Sequence, residues 1–315
     1  MSIDRIYRSL RSELEKVVFG QDDAIQFSLA ALFSSGHLLL EGPPGVAKTL
    51  LVRTLAAAMN LEFRRVQMTP DLLPNDIIGG AVFRQDRQDF EFRRGPVFTH
   101  FLLADEVNRA SARTQSALLE AMQEVSVTHD GVTHPLPEPF ITFATQNPID
   151  QEGTYPLPLA QLDRFMFKVV VGYPAAAEEQ RILSEHHANG GLSDPHRMGV
   201  KPVIAPQDIL QARDTIRETH VRDEVVAYVQ RLLSATRVED ALAVGASPRS
   251  GLMLLMGAKS LARFSGRDFV TPDDIQSAFL PVMRHRVVLS PSSELEGAVA
   301  DEVLAQLLES VEVPR

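Results

Sequence analysis

The residues with chemistry to offer come in two short runs. The first is "GPPGVAKT", residues 42–49, set between the apolar run "HLLLE" at 37–41 and the helical stretch "TLLVRTLAAAM". A phosphate-binding loop needs backbone N–H groups turned inward at the start of a helix, a lysine for the outer phosphates and a hydroxyl for Mg2+. Gly42 and Gly45 supply the permissive backbone, Lys48 the ammonium and Thr49 the hydroxyl. Pro43 and Pro44 remove two donors but stiffen the turn. Val46 and Leu50 complete the loop and the first helical turn. The usual spacing asks for glycine before the lysine, and here that position is Ala47. Ala47 is expected to have entered the helix already, at negative φ, where alanine costs little.

The second run is "HFLLADE", residues 100–106. An apolar strand ends there in adjacent carboxylates. Asp105 would hold Mg2+ through water, and Glu106 would orient or deprotonate an attacking water. Positioning and charge are most of what phosphoryl transfer asks of a protein. Each run alone has an ordinary reading, as a strand–turn–helix with a stray lysine or as a strand with an acidic end. One crossover apart, they point together to a nucleotide's phosphates and Mg2+.

Both runs need a scaffold that brings strand ends together. Up to about residue 172, short apolar runs alternate with helical stretches: "HLLLE" at 37, "FRRVQ" at 63, "FLLADE" at 101, "FITFATQ" at 140 and "FMFKVVV" at 165. That alternation predicts an α/β fold with a five-stranded parallel sheet flanked by helices, its ligand beyond the carboxyl ends of the strands. Two segments interrupt it as predicted hairpins. Residues 79–95 turn at Asp86–Gln88, and residues 124–136 turn at the Asp130–Gly131 pair. After residue 172 the strands are expected to stop. In "RDEVVAYVQRLL", Val225, Val226, Val229, Leu232 and Leu233 are expected on one face. Thr271 caps "TPDDIQSAFLPV" with Pro272 at the first helical position and two aspartates behind it. Leu304, Leu307, Leu308 and Val311 face inward in the last helix. The expected division is an α/β domain over 1–172 and a small all-helical domain over 173–315, with a loop-like linker at 189–202.

The chain has 315 residues, 44% hydrophobic and 23% charged, and a net charge of −10. Such a length suggests about two domains. The acidic balance gives no overall footprint for nucleic acid. The absence of cysteine excludes disulfides, thiolate metal sites and cysteine nucleophiles, and suits a reducing cytoplasm. The N-terminus reads as an amphipathic helix, with Ile3, Ile6, Leu10, Leu14 and Val17 at helical spacing, not as a signal peptide. No apolar run is long enough for a membrane span. His186, His187 and His196 lack convergent carboxylates, so no metal site is expected from them.

Taken together, the motifs resemble the AAA+ ATPases, and within them the MoxR-type branch. "GPPGVAKT" looks like that branch's Walker A loop, alanine included, "LLADEVNRA" its Walker B, "ATQNP" its first sensor and "PLPLAQLDRF" its arginine-finger segment. The resemblance runs over nearly the whole chain. It implies a P-loop core with hairpin inserts, followed by a helical lid. It gives Asn147 the place of the first sensor, near the γ-phosphate, although Asn147–Pro148 also suits a simple turn. It makes Arg164 a finger that acts in a neighbouring subunit, which requires a head-to-tail interface. It makes Arg249, at a helix start behind Ser247 and Pro248, the second sensor, reporting the γ-phosphate to the lid. "VVFGQDDAI" resembles the adenine-pocket segment, marked by Val18, Gly20 and Gln21. Asn108 and Arg109 would face the interface, or simply begin a helix.

The resemblance further implies a homo-oligomeric ring of six and chaperone-like remodelling of a protein client. The partner it suggests bears a von Willebrand factor A domain. Two other functions compete. One is a nucleic-acid motor, favoured by Arg84, Arg87, Arg93 and Arg94 on the first hairpin. Against it stand the interleaved Asp86, Asp89 and Glu91 and the lack of an evident aromatic platform. The other is a nucleotide-gated scaffold with little turnover.

Overall fold

A computed structural model describes residues 2–86, 88–148, 154–189 and 194–314 of the chain. Two helices open it, α1 (Ile3–Leu14) and α2 (Asp22–Phe33), followed by β1 (Leu38–Glu41) and α3 (Lys48–Met59). β2 (Phe63–Gln67) and the single turn α4 (Pro74–Ile78) lead into a hairpin of β3 (Gly79–Arg84) and β4 (Asp89–Arg94). Next come β5 (Phe101–Asp105), α5 (Ala112–Glu124) and a second hairpin of β6 (Ser126–His129) and β7 (Val132–Pro135). β8 (Ile141–Gln146), α6 (Leu159–Leu162) and β9 (Phe167–Val170) complete the sheet-bearing part. The remainder runs α7 (Ala176–Asn189), α8 (Pro206–Arg217), α9 (Asp223–Val238), β10 (Leu242–Val244), α10 (Pro248–Phe264) and α11 (Pro272–Met283), then β11 (Val288–Leu289), α12 (Pro291–Leu295) and α13 (Ala300–Ser310).

The five apolar runs form one parallel sheet in the order β2-β5-β8-β1-β9. Its central strands are apolar on both sides because both sides are covered. Leu38, Leu40, Phe101 and Phe143 pack toward α1, α2, α3 and the later helices. Leu39, Leu102 and Ala144 pack toward α5 and the hairpins. From β1 the chain crosses to the far edge at β2, returns through β5 and β8, then passes β1 to reach β9. The carboxyl ends of β1, β5 and β8 therefore share one open edge.

α1 buries Ile3, Ile6, Tyr7, Leu10 and Leu14. The Tyr7 ring stacks on Phe264 of α10 at 4.2 Å between centroids, so the N-terminal helix fastens the sheet to the helical part. His37 performs a similar task inside the sheet domain. Its Nε2–H donates to the Met122 carbonyl at 3.0 Å, and its Nδ1 accepts the Thr142 N–H at 3.0 Å. That fixes the neutral tautomer. Burial pushes its pKa down to about 4.

Both hairpins form where expected. Asp130 and Gly131 turn the second with φ of 48° and 76°, the two positive values a type I′ turn requires. Phe92 of the first hairpin stacks on His134 of the second at 4.3 Å, so the two are joined. The expectation of no aromatic platform is corrected. Phe83 and Phe90 pair across the first hairpin and are 51% and 72% exposed. Their i and j positions become neighbours only once the register is set. Arg87 lies outside the described residues.

Beyond residue 172 the helices follow the sequence closely, with three corrections. The strands do not stop: Leu242 pairs with Leu289 and Val244 with Val288, antiparallel. These segments are too short to stand out as runs, and the fold of α10 and α11 brings them together. In α9, Val226 is exposed and Tyr228 is fully buried in its stead, because the face steps from Val225 by three and four residues. In α13, Leu304 and Leu307 are buried, while Leu308 and Val311 sit half-buried at the rim. The cap at Thr271 is as expected, and Asp274 is further held by both arms of Arg267 at 2.7 Å. Among the described residues, no helix is long and apolar enough to cross a membrane.

The His37 tautomer makes stability depend on pH. Unfolded imidazole takes up a proton near pH 6.5, whereas in the fold protonation waits until about 4. Between those values the unfolded chain binds more protons, so stability falls as pH falls. The linkage amounts to about 3 kcal/mol. Urea unfolding at pH 7 and pH 4 should therefore show a larger loss for the wild type than for His37→Gln, by about that amount.

Candidate functional site

The loop after β1 is shaped by backbone contacts. The Gly42 N–H donates to the Gln146 carbonyl at 3.2 Å. A Cβ on Gly42 would stand 2.1 Å from the Val171 carbonyl oxygen, so no larger residue fits. Gly45 has φ of 86°. Ala47 overturns the expectation of a negative φ: it lies in the left-handed region, at φ 62° and ψ 17°, as the N-cap of α3. The loop must reverse its N–H groups immediately before Lys48. At that point alanine costs about 1 kcal/mol more than glycine would. Val46 is buried, whereas Pro44 stands exposed. The Lys48 ammonium folds back on its own loop, donating to the carbonyls of Gly42 and Pro43. Burial pushes its pKa below the usual lysine value, and Asp105, Glu106 and Glu41 pull it back up.

Opposite the loop stand the two carboxylates. Asp105 Oδ1 accepts the Thr145 hydroxyl at 2.5 Å. Its Oδ2 accepts two bonds from Arg65, at 2.9 and 2.7 Å. Thr145 Oγ1 in turn accepts the Glu106 N–H at 2.8 Å. Glu106 also has a positive φ, 58°, which swings its side chain off the strand direction. Glu106 Oε2 accepts from Gln67 at 2.8 Å and from Arg109 at 3.0 Å. Lys48, Thr49, Leu50, Asp105, Glu106 and Asn147 line one cleft of about 390 Å³, within the range of small-molecule sites. Thr49 and Asp105 offer hard oxygen donors, the set that Mg2+ takes.

Arg65, Gln67, Thr145 and Gln146 also line this cleft, and sequence reading did not single them out. A signal existed for two of them. In "FRRVQ", residues 65 and 67 share a strand face, and Gln67 lies in register with Asp105.

The other expected residues lie elsewhere. Arg164 and Arg249 are not in the cleft of their own chain. They line a second concavity of about 340 Å³ with Ser34, Met122 and Met253. Arg249 Nε is 3.7 Å from Asp163 Oδ2. Val18 is 2% exposed, so the core takes up its side chain. Gly20, at φ 67°, would bring a Cβ within 3.2 Å of Glu178, and Gln21 donates to the Gly172 carbonyl at 3.0 Å. That segment therefore borders the chain leaving β9. Arg109 is engaged by Glu106, and the Asn108 carbonyl accepts the Tyr155 N–H. His196 is exposed. The side chains of His186 and His187 lie outside the described residues. Among the described residues, no cluster of three His, Asp or Glu could hold a metal.

Comparison with known proteins fits this arrangement. A family profile described as "ATPase family associated with various cellular activities (AAA)" matches residues 37–167, and one for the AAA lid domain matches 234–307. The chain is 44% identical to "Chaperone MoxR1" of Mycobacterium tuberculosis, over 96% of this chain and 81% of the relative. It is 31% identical to "Protein MoxR" of Methylorubrum extorquens, over 96% and 93%. The chain belongs to the MoxR-type AAA+ ATPases. A crystal structure from Cytophaga hutchinsonii, provisionally named an ATPase, superposes with a TM-score of 0.90 at 39% identity, covering 99% of this chain and 97% of that one. In this MoxR-type chain the AAA profile covers the loop at 42–49 and the carboxylates Asp105 and Glu106, and the lid profile covers α10 and α11.

Left-handed Ala47 gives a direct test. Ala47→Gly should keep nucleotide binding and leave the thermal midpoint unchanged or higher. Ala47→Val should weaken nucleotide binding by about fivefold to 100-fold, at a cost of about 1–3 kcal/mol, because a branched residue resists positive φ. Titration with a fluorescent ATP analogue checks both.

Proposed function

We propose that this protein is an ATP-hydrolysing ring ATPase that remodels protein clients. The observation that carries the reading is the opposition of Lys48 and Thr49 to Asp105 and Glu106 in one cleft, while Arg164 and Arg249 face away from it. Lys48 would leave its loop carbonyls to meet the β- and γ-phosphates. Thr49 and Asp105 would hold Mg2+, which supplies charge neutralisation when bound. Glu106 would orient the attacking water, with Asn147 beside it. Backbone at Val18, Gly20 and Gln21 would border the adenine. Arg164 and Arg249 would reach the cleft of the next copy. A contact of that head-to-tail kind closes a ring, here taken as six. The cytoplasm is the natural compartment for a chain without cysteine.

A relative named a chaperone supports the protein-client part of the reading. The family resemblance adds a partner with a von Willebrand factor A domain. Lys48→Ala should abolish ATP binding. Glu106→Gln should bind ATP and lose hydrolysis by about 100-fold or more. Wild-type turnover per chain should rise with protein concentration, because one chain holds only part of the site. Wild-type rates from purified Glu106→Gln protein would overturn the assignment.

A second reading, a nucleic-acid motor, draws on the exposed Phe83–Phe90 pair on the hairpin that carries Arg84. Arg84, however, is already paired with Asp86 and Glu91. Single-stranded DNA or RNA at low salt should leave the ATPase rate within about twofold. A Glu106→Gln trap loaded with ATP should retain protein and not nuclease-sensitive nucleic acid.

A further inference from the structure

The segment that carries Arg164 is held by a residue 123 positions further along the chain. Arg286 follows α11, and its guanidinium is almost wholly buried. Its Nε donates to Asp163 Oδ1 at 2.8 Å. One terminal nitrogen donates to the Met166 carbonyl at 3.1 Å and to that of Val282. The other donates to the carbonyls of Phe165 and, at 3.3 Å, Asp163. His285 beside it donates from Nε2 to the Phe165 carbonyl at 3.0 Å. The backbone on both sides of Arg164 is thus fixed from the lid, while the Arg164 side chain is left over the second concavity with Arg249. Asp163 is shared, since its other oxygen lies 3.7 Å from Arg249.

A general packing role would explain a buried arginine only in part. An apolar side chain would fill the same space without needing a carboxylate and several carbonyls to satisfy its donors. Here the donors go mostly to residues 163–166, with one to the Val282 carbonyl of α11 and one contact to the Met253 sulfur of α10. The flat, five-donor guanidinium can grip one short peptide segment in several places at once, which an ammonium cannot.

We propose that Arg286 is a positioning residue for Arg164, setting from the lid the place at which that arginine is presented to a neighbouring copy. Through Arg286 and Asp163 the lid and the backbone that carries Arg164 move as one body, while the Arg249 side chain is only loosely attached to Asp163. This rests on the reading of Arg164 as acting in the next subunit's cleft.

Mixed assemblies test the two ideas separately. Lys48→Ala chains supply an intact Arg164 but no working cleft. Arg164→Ala chains supply an intact cleft but no finger. Mixing them should restore ATPase activity. Adding Arg286→Lys to the Lys48→Ala chain, the one donating Arg164, should lower the restored kcat by about 100-fold, the effect of a misplacement of roughly 1 Å, with little change in KM. The same change in the Arg164→Ala chain should leave restoration intact, and this also shows that the variant folds and assembles. Equal restoration in both orders overturns the positioning role alone. Loss in both orders marks a general folding role and also overturns it. Failure of the parent mixture to recover activity overturns the reading of Arg164 and this proposal with it.

Discussion

The cleft depends on one constraint, the double-sided burial of a parallel sheet. Strands β1, β5 and β8 have apolar neighbours above and below, so charged residues can leave them only at their ends. Parallel pairing puts the carboxyl ends of all three on one edge. Asp105 is the last residue of β5, and Lys48, Glu106 and Asn147 lie beyond the strand ends. The same constraint explains the strained backbone. Glu106 and Ala47 both take left-handed conformations where the chain must turn sharply out of a strand or into a helix. Each costs about 1–2 kcal/mol, small against the burial of a central strand and tolerable where the turn positions a functional group.

Within the cleft, charges already have partners. Lys48 bonds loop carbonyls, Arg65 neutralises Asp105, and Gln67 and Arg109 hold Glu106. An anion and a divalent cation entering together can exchange these contacts for stronger ones, since phosphate would take the ammonium and the metal would take the carboxylate. Neither alone replaces both. On the proposed function, this arrangement would suit a metal–nucleotide pair better than either component alone.

Legibility in the sequence follows sequence distance. The five strands, the strand pairs of both hairpins, the Asp130–Gly131 turn and the Thr271 cap are local patterns that the structure shows; Lys48, Thr49, Asp105 and Glu106 are local patterns too, and they line one cleft. Arg65 and Gln67 escaped because their meaning lies in the β2–β5 register, which "FRRVQ" alone does not state. The left-handed Ala47 escaped because propensity favours alanine in a helix, whereas the loop's path decides its φ. Arg286 was invisible for the same reason as the β10–β11 pair: its partners are brought near only by the packing of the lid.

The two arginines on Asp163 are not equivalent, and the difference gives the second face its direction. Arg286 is buried, 2.8 Å from the carboxylate. Burial pushes its pKa down to about 10, so it stays charged near neutrality and needs that anion. Removing one partner of such a pair costs about 3–5 kcal/mol. Arg249 is 3.7 Å away and its side chain 47% exposed, so its pairing is worth at most about 1 kcal/mol. Asp163 is therefore committed to Arg286, and Arg249 can leave it cheaply. With Arg164 beside it, the face carries cationic charge that its own chain does not neutralise firmly. A polyphosphate presented by a neighbouring copy is the kind of anion that would complete it, and the more weakly held arginine is the one free to swing toward it.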